Sequence, residues 1–492
     1  MTRTPEVAAS SAQAGAEPRY SPQRRTALVL TGTGTAGAYH AGVLRALHEA
    51  GVKIDLVAGR GIGAVGASFA AVDGASHLWQ RSGLWSVGQL QLYRWRGALR
   101  VAAAILSLAF LTLLLPLGVV VIAALVYPVT YFLRVVGLRG DVSLTAGFGW
   151  LVERVFAPEA LPVWLPRAVV LALSLLLVTL ACSAVLEWMR TRPRRRARGA
   201  MWWVLLGAPL DASRARRWFS DGLWKLMRGA AAIAQPSPED LGRRYTRLLS
   251  ENLGQPGFRE LLISAHDLDG RRDMVFAILS EPYRRRFFRR RGGSERHLEA
   301  LDLGGRAGRH GFDAVAAALS IPVATEPWLV HFATVSGWRG ETHRVCDRPD
   351  AVGRLLDEVA EAGAEQVILV SALPGPSGPH ELATSRRDGR GLIGESLCSI
   401  ESAGLRDAVI GRVGLFQAIF EIRPVHNPIG PFDFSGCYDE RSDRTWTLSE
   451  LLECGYNDGH HQFVGPVVAA SGERIEPVPK ARSSEREPAE VD

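Results

Sequence analysis

The chain has 492 residues, of which 47% are hydrophobic and 22% charged, and carries a net charge of +7. With a mean hydropathy of +0.06 it is too apolar to be disordered throughout, and its length holds either two to four domains or one large α/β domain with an insertion. Only Lys53, Lys225 and Lys480 among its 57 basic residues are lysines, so the surplus is arginine. Where those arginines stand says more than their sum about nucleic acid, an anionic membrane or neither.

Residues 1–23 are rich in Ala, Ser, Pro and Glu, lack an apolar run of signal-peptide length, and read as a disordered arm. A first predicted strand, Ala27–Thr31, runs into Gly32-Thr33-Gly34-Thr35-Ala36-Gly37 and then a helix over 38–50 that carries Val43, Leu44 and Leu47 at helical spacing. Glycines at such a turn let backbone N–H groups converge at a helix N-terminus, which suits a phosphate or an oxyanion. Formally the loop is G-x-G-x-x-G, so one reading is a nucleotide-binding module, and a tight turn of purely structural role is another. The nucleotide fingerprint wants an acidic residue at the end of the second strand. Asp55 instead lies inside Ile54–Ala58, and that strand ends at Gly59-Arg60.

The second turn reads Gly59-Arg60-Gly61-Ile62-Gly63 and leads into a helix of small residues. This is the spacing of a nucleophile elbow, G-x-S-x-G, with glycine at the middle position.

Two apolar runs follow, Val101–Leu133 and Ala168–Leu186, both free of charged residues. About 20 residues cross a hydrocarbon core, so the second fits one span. As one helix the first would be about 50 Å long, and Pro116 with Gly118 leaves a kinked span, a tilted span or a re-entrant hairpin open. A helix buried in a soluble core is the competing reading for each run. Trp95, Trp150, Trp164, Trp188, Trp202 and Trp203 border the runs, as interfacial rings do. Arginines at 94, 96 and 100 precede the first run, and six more between 190 and 198 follow the second. By the positive-inside rule both ends of the insertion are cytoplasmic and residues 134–167 form the outside loop.

Beyond the insertion, Leu261–Ala265, Met274–Leu279 and Gln366–Ser371 are apolar runs of strand length. Alternating with helical patterns, they predict a largely parallel α/β sheet. A cluster, Arg284-Arg285-Arg286-Phe287-Phe288-Arg289-Arg290-Arg291, interleaves arginine with phenylalanine. It reads as a solvated loop or as a segment binding an anionic membrane surface, with Phe inserting; no nucleic-acid-binding fold accompanies it. The five cysteines, Cys182, Cys346, Cys398, Cys437 and Cys454, form no C-x-x-C pair, which indicates a reducing compartment and no disulfide framework. No metal-ligand set and no cofactor motif beyond the glycine loop is seen, and residues 471–492 read as a disordered tail.

The stretch LVLTGTGTAGAYHAGVLRALHEAGVKIDLVAGRGIGA, with LLISAHDLDGRRDMVFAIL, DAVAAALSIPVATEP and the segment His343–Ser371 in the same order, resembles the patatin-like phospholipase family. The resemblance implies a three-layer α/β sandwich and hydrolysis of lipid acyl esters by a Ser-Asp dyad. In that mechanism the serine attacks the ester carbonyl, the aspartate takes its proton and the glycine loop holds the oxyanion.

On this resemblance Gly61 stands at the nucleophile position between Gly59 and Gly63, and the dyad aspartate is Asp347. The oxyanion loop is Gly32, Thr33, Gly34 and Gly37. The family's Gly-Gly-Gly-x-Arg-Gly has lost its middle glycine and its arginine, and Arg348-Pro349 follows the aspartate where the family has Gly-Gly or Gly-Ala. Glycine at 61 keeps the turn, relieves strain and removes the nucleophile. Thr33, Thr35 and Ser68 are the nearby alcohols, Asp458-Gly459 is a second Asp-Gly pair, and Arg60 stands open as a reader of an anionic head group.

The expected organisation is an arm (1–23), a first half-domain (24–76), a membrane insertion (77–235), a second half-domain with a C-terminal extension (236–470) and a tail (471–492). One sheet built from both halves requires an even number of membrane crossings, and two are expected. The functional expectation is a multi-pass protein of the bacterial inner membrane with a cytoplasmic α/β domain, lost or reduced hydrolase activity, and anionic membrane lipids as partners; no protein partner is indicated. Its alternatives are an active lipid acyl hydrolase with a non-standard nucleophile and the nucleotide-binding module.

Overall fold

The computed structural model describes residues 19–80, 83–86, 92–137, 141–155, 157, 161–191, 208–229, 233–289, 295–375, 389–412, 414–424 and 447–468. The arm up to residue 18, Arg290, Arg291 and the tail lie outside them. The chain forms two compact units, one from Met1–Arg94 with Leu210–Asp492 and one from Trp95–Pro209.

The first unit is organised by a mixed sheet. Its strands are β1 (Thr26–Thr31), β2 (Leu56–Gly59), β5 (Glu260–Asp267), β6 (Arg272–Ile278), β7 (Ala300–Asp302), β8 (Trp328–His331), β9 (Thr342–Cys346), β10 (Gln366–Ser371) and β11 (Ala418–Ile422). Two-residue strands β3 (Arg94–Trp95) and β4 (Leu210–Asp211) stand apart from it. The order is β11-β10-β1-β2-β5-β6-β7, with β9 pairing β5 and β8. The five strands from β11 to β5 are parallel, whereas β5 and β6 form an antiparallel pair. Residues from either side of the insertion therefore share one sheet, with Ala27 opposite Val367 and Leu56 opposite Glu260.

Side-chain alternation sends the two faces of β1 into two cores. Leu28 and Leu30 join α1 (Ala36–Glu49), α2 (Gly63–Ala70) and the helix Gly311–Ala318 on one face. Ala27 and Val29 join the helix Val352–Glu361 on the other. Helices on both faces of a largely parallel sheet make the expected three-layer α/β sandwich. The C-terminal helix Leu448–Gly459, opened by a Thr447–Glu450 capping box, crosses α1 at Gly42 and Gly455. A Cβ on Gly42 would overlap the carbonyl of Leu452, and one on Gly455 the carbonyl of Tyr39.

The first unit extends further into the insertion than the sequence boundaries 77–235 allow. A short helix α3 (Ser76–Trp79), Trp85, Leu92 and Tyr93 belong to its core. So does the amphipathic helix Ser213–Arg228, which buries Ala215, Phe219, Leu223 and Trp224. Trp79, Trp85, Trp218 and Trp224, which stand on either side of the apolar runs in the sequence, thus pack on a globular core.

The second unit holds α4 (Gly97–Val135), α5 (Asp141–Val155) and α6 (Leu161–Thr191). The first apolar run is one continuous helix through Pro116 and Pro128, not a hairpin. At 39 residues it is about 58 Å long. Two helices, Gly97–Val135 and Trp164–Leu186, are long and apolar enough to cross a membrane. Only 6% and 11% of their most apolar windows are buried inside the chain, so neither helix is covered by a core among the described residues.

Candidate functional site

Both glycine turns lie at the carboxyl ends of adjacent parallel strands, where β1 and β2 hand over to α1 and α2. This edge is where open α/β sheets place their sites. Gly34 (φ 61°) and Gly61 (φ 55°) take left-handed backbone conformations, and Gly32 has φ 147°. A Cβ at 61 would lie 3.1 Å from Asp347 Oδ2 and would overlap the carbonyl oxygen of Gly32. The elbow position and Asp347 are brought together, as the resemblance implies, but the space a side chain would need is filled by backbone.

The same Gly32 carbonyl accepts the amide of Ile62 at 2.9 Å. In nucleophile-elbow enzymes the amide following the nucleophile helps to hold the oxyanion. Here that donor is already bonded within the protein. The remaining loop glycines have packing reasons of their own: Gly37 makes room for the Trp85 ring and Gly63 for the carbonyl of Leu30.

Arg60 occupies the centre of the site. Its Nε and Nη2 donate to Asp347 Oδ1 and Oδ2 at 3.2 and 2.8 Å, and its Nη1 donates to Glu401 Oε1 at 2.7 Å. The three side chains are at most 5% exposed. Asp347 is further held by its backbone N–H, which donates to the carbonyl of Ser320 at 2.8 Å. Arg60 is thus consumed inside the fold and is not a free reader of a head group.

Glu401, which no motif announced, comes from the helix Gly389–Arg412. Ile393 and Leu397 of this helix pack on the first core, and Leu405 and Ala408 on the second. It therefore passes over the end of the sheet and lowers Glu401 onto Arg60. Burial holds the Glu401 carboxyl above its usual range, with Arg60 pulling it down and Asp347 adding repulsion. The nearby Thr33 hydroxyl also pulls it down. A signal did exist in the sequence: Glu401 is the second of only two acids in the stretch Gly389–Leu405.

Beneath the loop, His40 is fully buried and its Nε2 lies 2.8 Å from the carbonyl of Thr31. Its Nδ1 is buried without a hydrogen-bond partner. Burial lowers its pKa from 6.5 to about 4, the bond to Thr31 opposing and Arg60 adding repulsion. Of the other residues singled out, Ser68 bonds the carbonyl of Ala64, and Asp458 accepts the Tyr39 hydroxyl at 2.8 Å in the α1 crossing.

The basic cluster at 284–291 differs from its expectation. Phe287 is fully buried in the second core, with Phe288 packed against it and Arg296 stacked 4.3 Å over its ring. The two rings anchor the helix Tyr283–Phe288 and do not project for insertion. Arg284 pairs with Asp302 and Arg285 with Glu281, while Arg285, Arg286 and Arg289 remain exposed.

A strand-to-helix elbow at the carboxyl edge of a three-layer sheet, aligned with an aspartate from a later loop, defines an α/β protein with a patatin-like arrangement of its sheet edge. Residues 28–90, which include both glycine turns, match the model of the patatin-like phospholipase family. The proteins named patatin-like phospholipase domain-containing protein 6 from Mus musculus, Pongo abelii and Homo sapiens are each 51% identical to this chain over 61 residues, 12% of its length. The match spans 4% of those relatives' own length. By fold and by this segment the chain is similar to the patatin-like phospholipase family.

Proposed function

We propose that this chain is a membrane-embedded patatin-like protein that has kept the family's fold and lost efficient acyl-ester hydrolysis, and that it serves lipid metabolism by binding lipid or a partner. The observation that carries this reading is the Arg60–Asp347 pair. Both carboxylate oxygens of Asp347 accept hydrogen bonds from a buried guanidinium, where a dyad base would accept from a nucleophile's hydroxyl. Gly61 supplies no nucleophile, and the Ile62 amide is not free for an oxyanion.

On the same reading α4 and α6 cross a bacterial inner membrane, the α/β domain is cytoplasmic, and anionic lipids are the preferred surroundings. The support is the exposure of both apolar helices and the arginines at both ends of the insertion.

A second reading, an ester hydrolase using Thr33 as its alcohol, is favoured only by the closeness of the Thr33 hydroxyl to the Glu401 carboxyl. It requires Glu401 to leave Arg60. Fluorophosphonate labelling and an ester-turnover assay of the full chain decide between the two. The proposal expects neither label nor turnover above a heat-denatured control; robust turnover abolished by Asp347→Asn or Thr33→Ala would overturn it.

A further inference from the structure

A second cavity of the first unit, away from the elbow, carries the charge of an anion site. It measures about 520 Å³ and is bounded by Phe69 of α2, by His77, Gly83, Leu84 and Arg94, and by the helix Ser213–Arg228. Cavities of this size hold small organic ligands. Arg94, Arg214, Arg217 and Lys225 line it against a single carboxylate, Asp221, which already accepts the Gln235 amide at 3.2 Å.

The helix builds this lining by spacing. Arg214, Arg217, Asp221 and Lys225 recur every three or four positions, so they share one face, while Ala215, Phe219 and Leu223 turn into the core. Neighbouring Arg216 bonds Ser320 Oγ at 2.9 Å and stacks on Trp328, with its Nε buried and unpaired. Arg214, which lines the cavity, has its Nη1 buried without a hydrogen-bond partner. A buried guanidinium donor left unpaired loses the water it had and gains nothing, unless an acceptor enters the cavity.

We infer that this cavity binds the phosphate of an anionic phospholipid head group. Planar guanidiniums such as Arg214 and Arg217 match phosphate oxygens in pairs, and a lysine adds a point charge. Trp218 and Leu84 supply an apolar wall that accommodates the glycerol portion. The lipid source follows from chain position. Arg94 stands three residues before α4 begins, and Arg214 four residues after the chain re-enters the first unit at Leu210. A cation on the segment leading directly into an apolar helix, as Arg94 is, belongs at head-group depth. This last step rests on the reading of α4 and α6 as membrane-crossing.

The test uses the full chain in nanodiscs of phosphatidylcholine containing a minority of phosphatidylglycerol, with retained lipid counted by native mass spectrometry. Equilibrium dialysis of inorganic phosphate and glycerol 3-phosphate against the lipid-free micellar protein forms a second arm. Wild type is expected to retain phosphatidylglycerol over phosphatidylcholine. The pair Arg214→Gln, Arg217→Gln should weaken that retention at least about tenfold. The control pair Arg243→Gln, Arg247→Gln, which removes exposed ion pairs on another helix, should leave it unchanged.

Retention equal in wild type and the Arg214, Arg217 variant would overturn the site. Tight binding of inorganic phosphate with no lipid preference would overturn the lipid source. Alkaline carbonate extraction separates the premise from the inference: a chain that is extracted yet still binds phosphate through Arg214 would overturn the membrane reading and uphold the phosphate chemistry.

Discussion

The guanidinium of Arg60 grips both oxygens of the Asp347 carboxylate through Nε and Nη2, sealed from solvent, one residue before the position at which a patatin-like nucleophile would stand. The pair is closed on its far side by Glu401, so one buried cation serves two buried carboxylates. Such a cluster is costly to assemble and costlier to break, because removing one partner strands the others' charge.

Arg60→Leu is therefore expected to destabilise the first unit by about 3–5 kcal/mol, the range for breaking a buried ion pair. Adding Glu401→Gln should recover part of this loss, since one stranded carboxylate becomes neutral. A double-mutant cycle by urea denaturation of the detergent-solubilised chain reads the coupling. Equal losses for the single and double variants would argue that Glu401 is bonded elsewhere.

Gly61→Ser alone is expected to remain inert. The new Cβ overlaps the Gly32 carbonyl, the backbone at φ 55° is strained for a side chain, and Asp347 stays paired with Arg60. Stability should drop by about 1–3 kcal/mol, with no fluorophosphonate label. Labelling of Gly61→Ser at a rate above wild type would show that the loop yields and that only the hydroxyl is missing.

His40 makes the domain acid-sensitive. Its pKa in the fold, about 4, lies below the unfolded value near 6.5, so between these values the unfolded chain binds the extra proton. Stability from this group is complete above pH 6.5 and is lost as pH falls towards 4. The loss approaches about 3 kcal/mol. His40→Gln, which keeps a donor for the Thr31 carbonyl, should flatten this limb of the pH–stability curve; an unchanged curve would place the sensitivity on other groups.

The crossing of α1 with the C-terminal helix admits no side chain. Gly42→Ala and Gly455→Ala each place a methyl group inside a facing backbone carbonyl. Each should cost at least about 1–3 kcal/mol, the usual range for overpacking. Because both act at one crossing, the double variant should lose less than the sum. Full additivity would mean the two contacts relax independently.

Topology can be read from a single cysteine. In a cysteine-free background, Ser143→Cys between the two apolar helices should react with an impermeant maleimide only from the side opposite the α/β domain. Labelling from the domain side would remove the two-span arrangement.

Local pattern carried most of the architecture. Alternating strand-length runs, two glycine turns and uncharged stretches follow from backbone periodicity and hydrophobicity, which neighbours in sequence express. They specified the three-layer sheet, the elbow at Gly61 and an insertion dividing one domain. Where helix Ser213–Arg228 belongs was decided only by packing, because its apolar face needed a core and the sequence alone offers two environments for it. The fate of Arg60 was likewise a tertiary matter. A charged residue in a glycine turn reads equally well as a ligand for lipid or as a buried partner. The choice depended on Asp347 and Glu401, 287 and 341 positions away, arriving at the same sheet edge. The sequence by itself determined that glycine stands at the middle of the elbow; the tertiary structure decided that the space beside it is closed, because backbone fills the volume and an arginine satisfies the charge of Asp347.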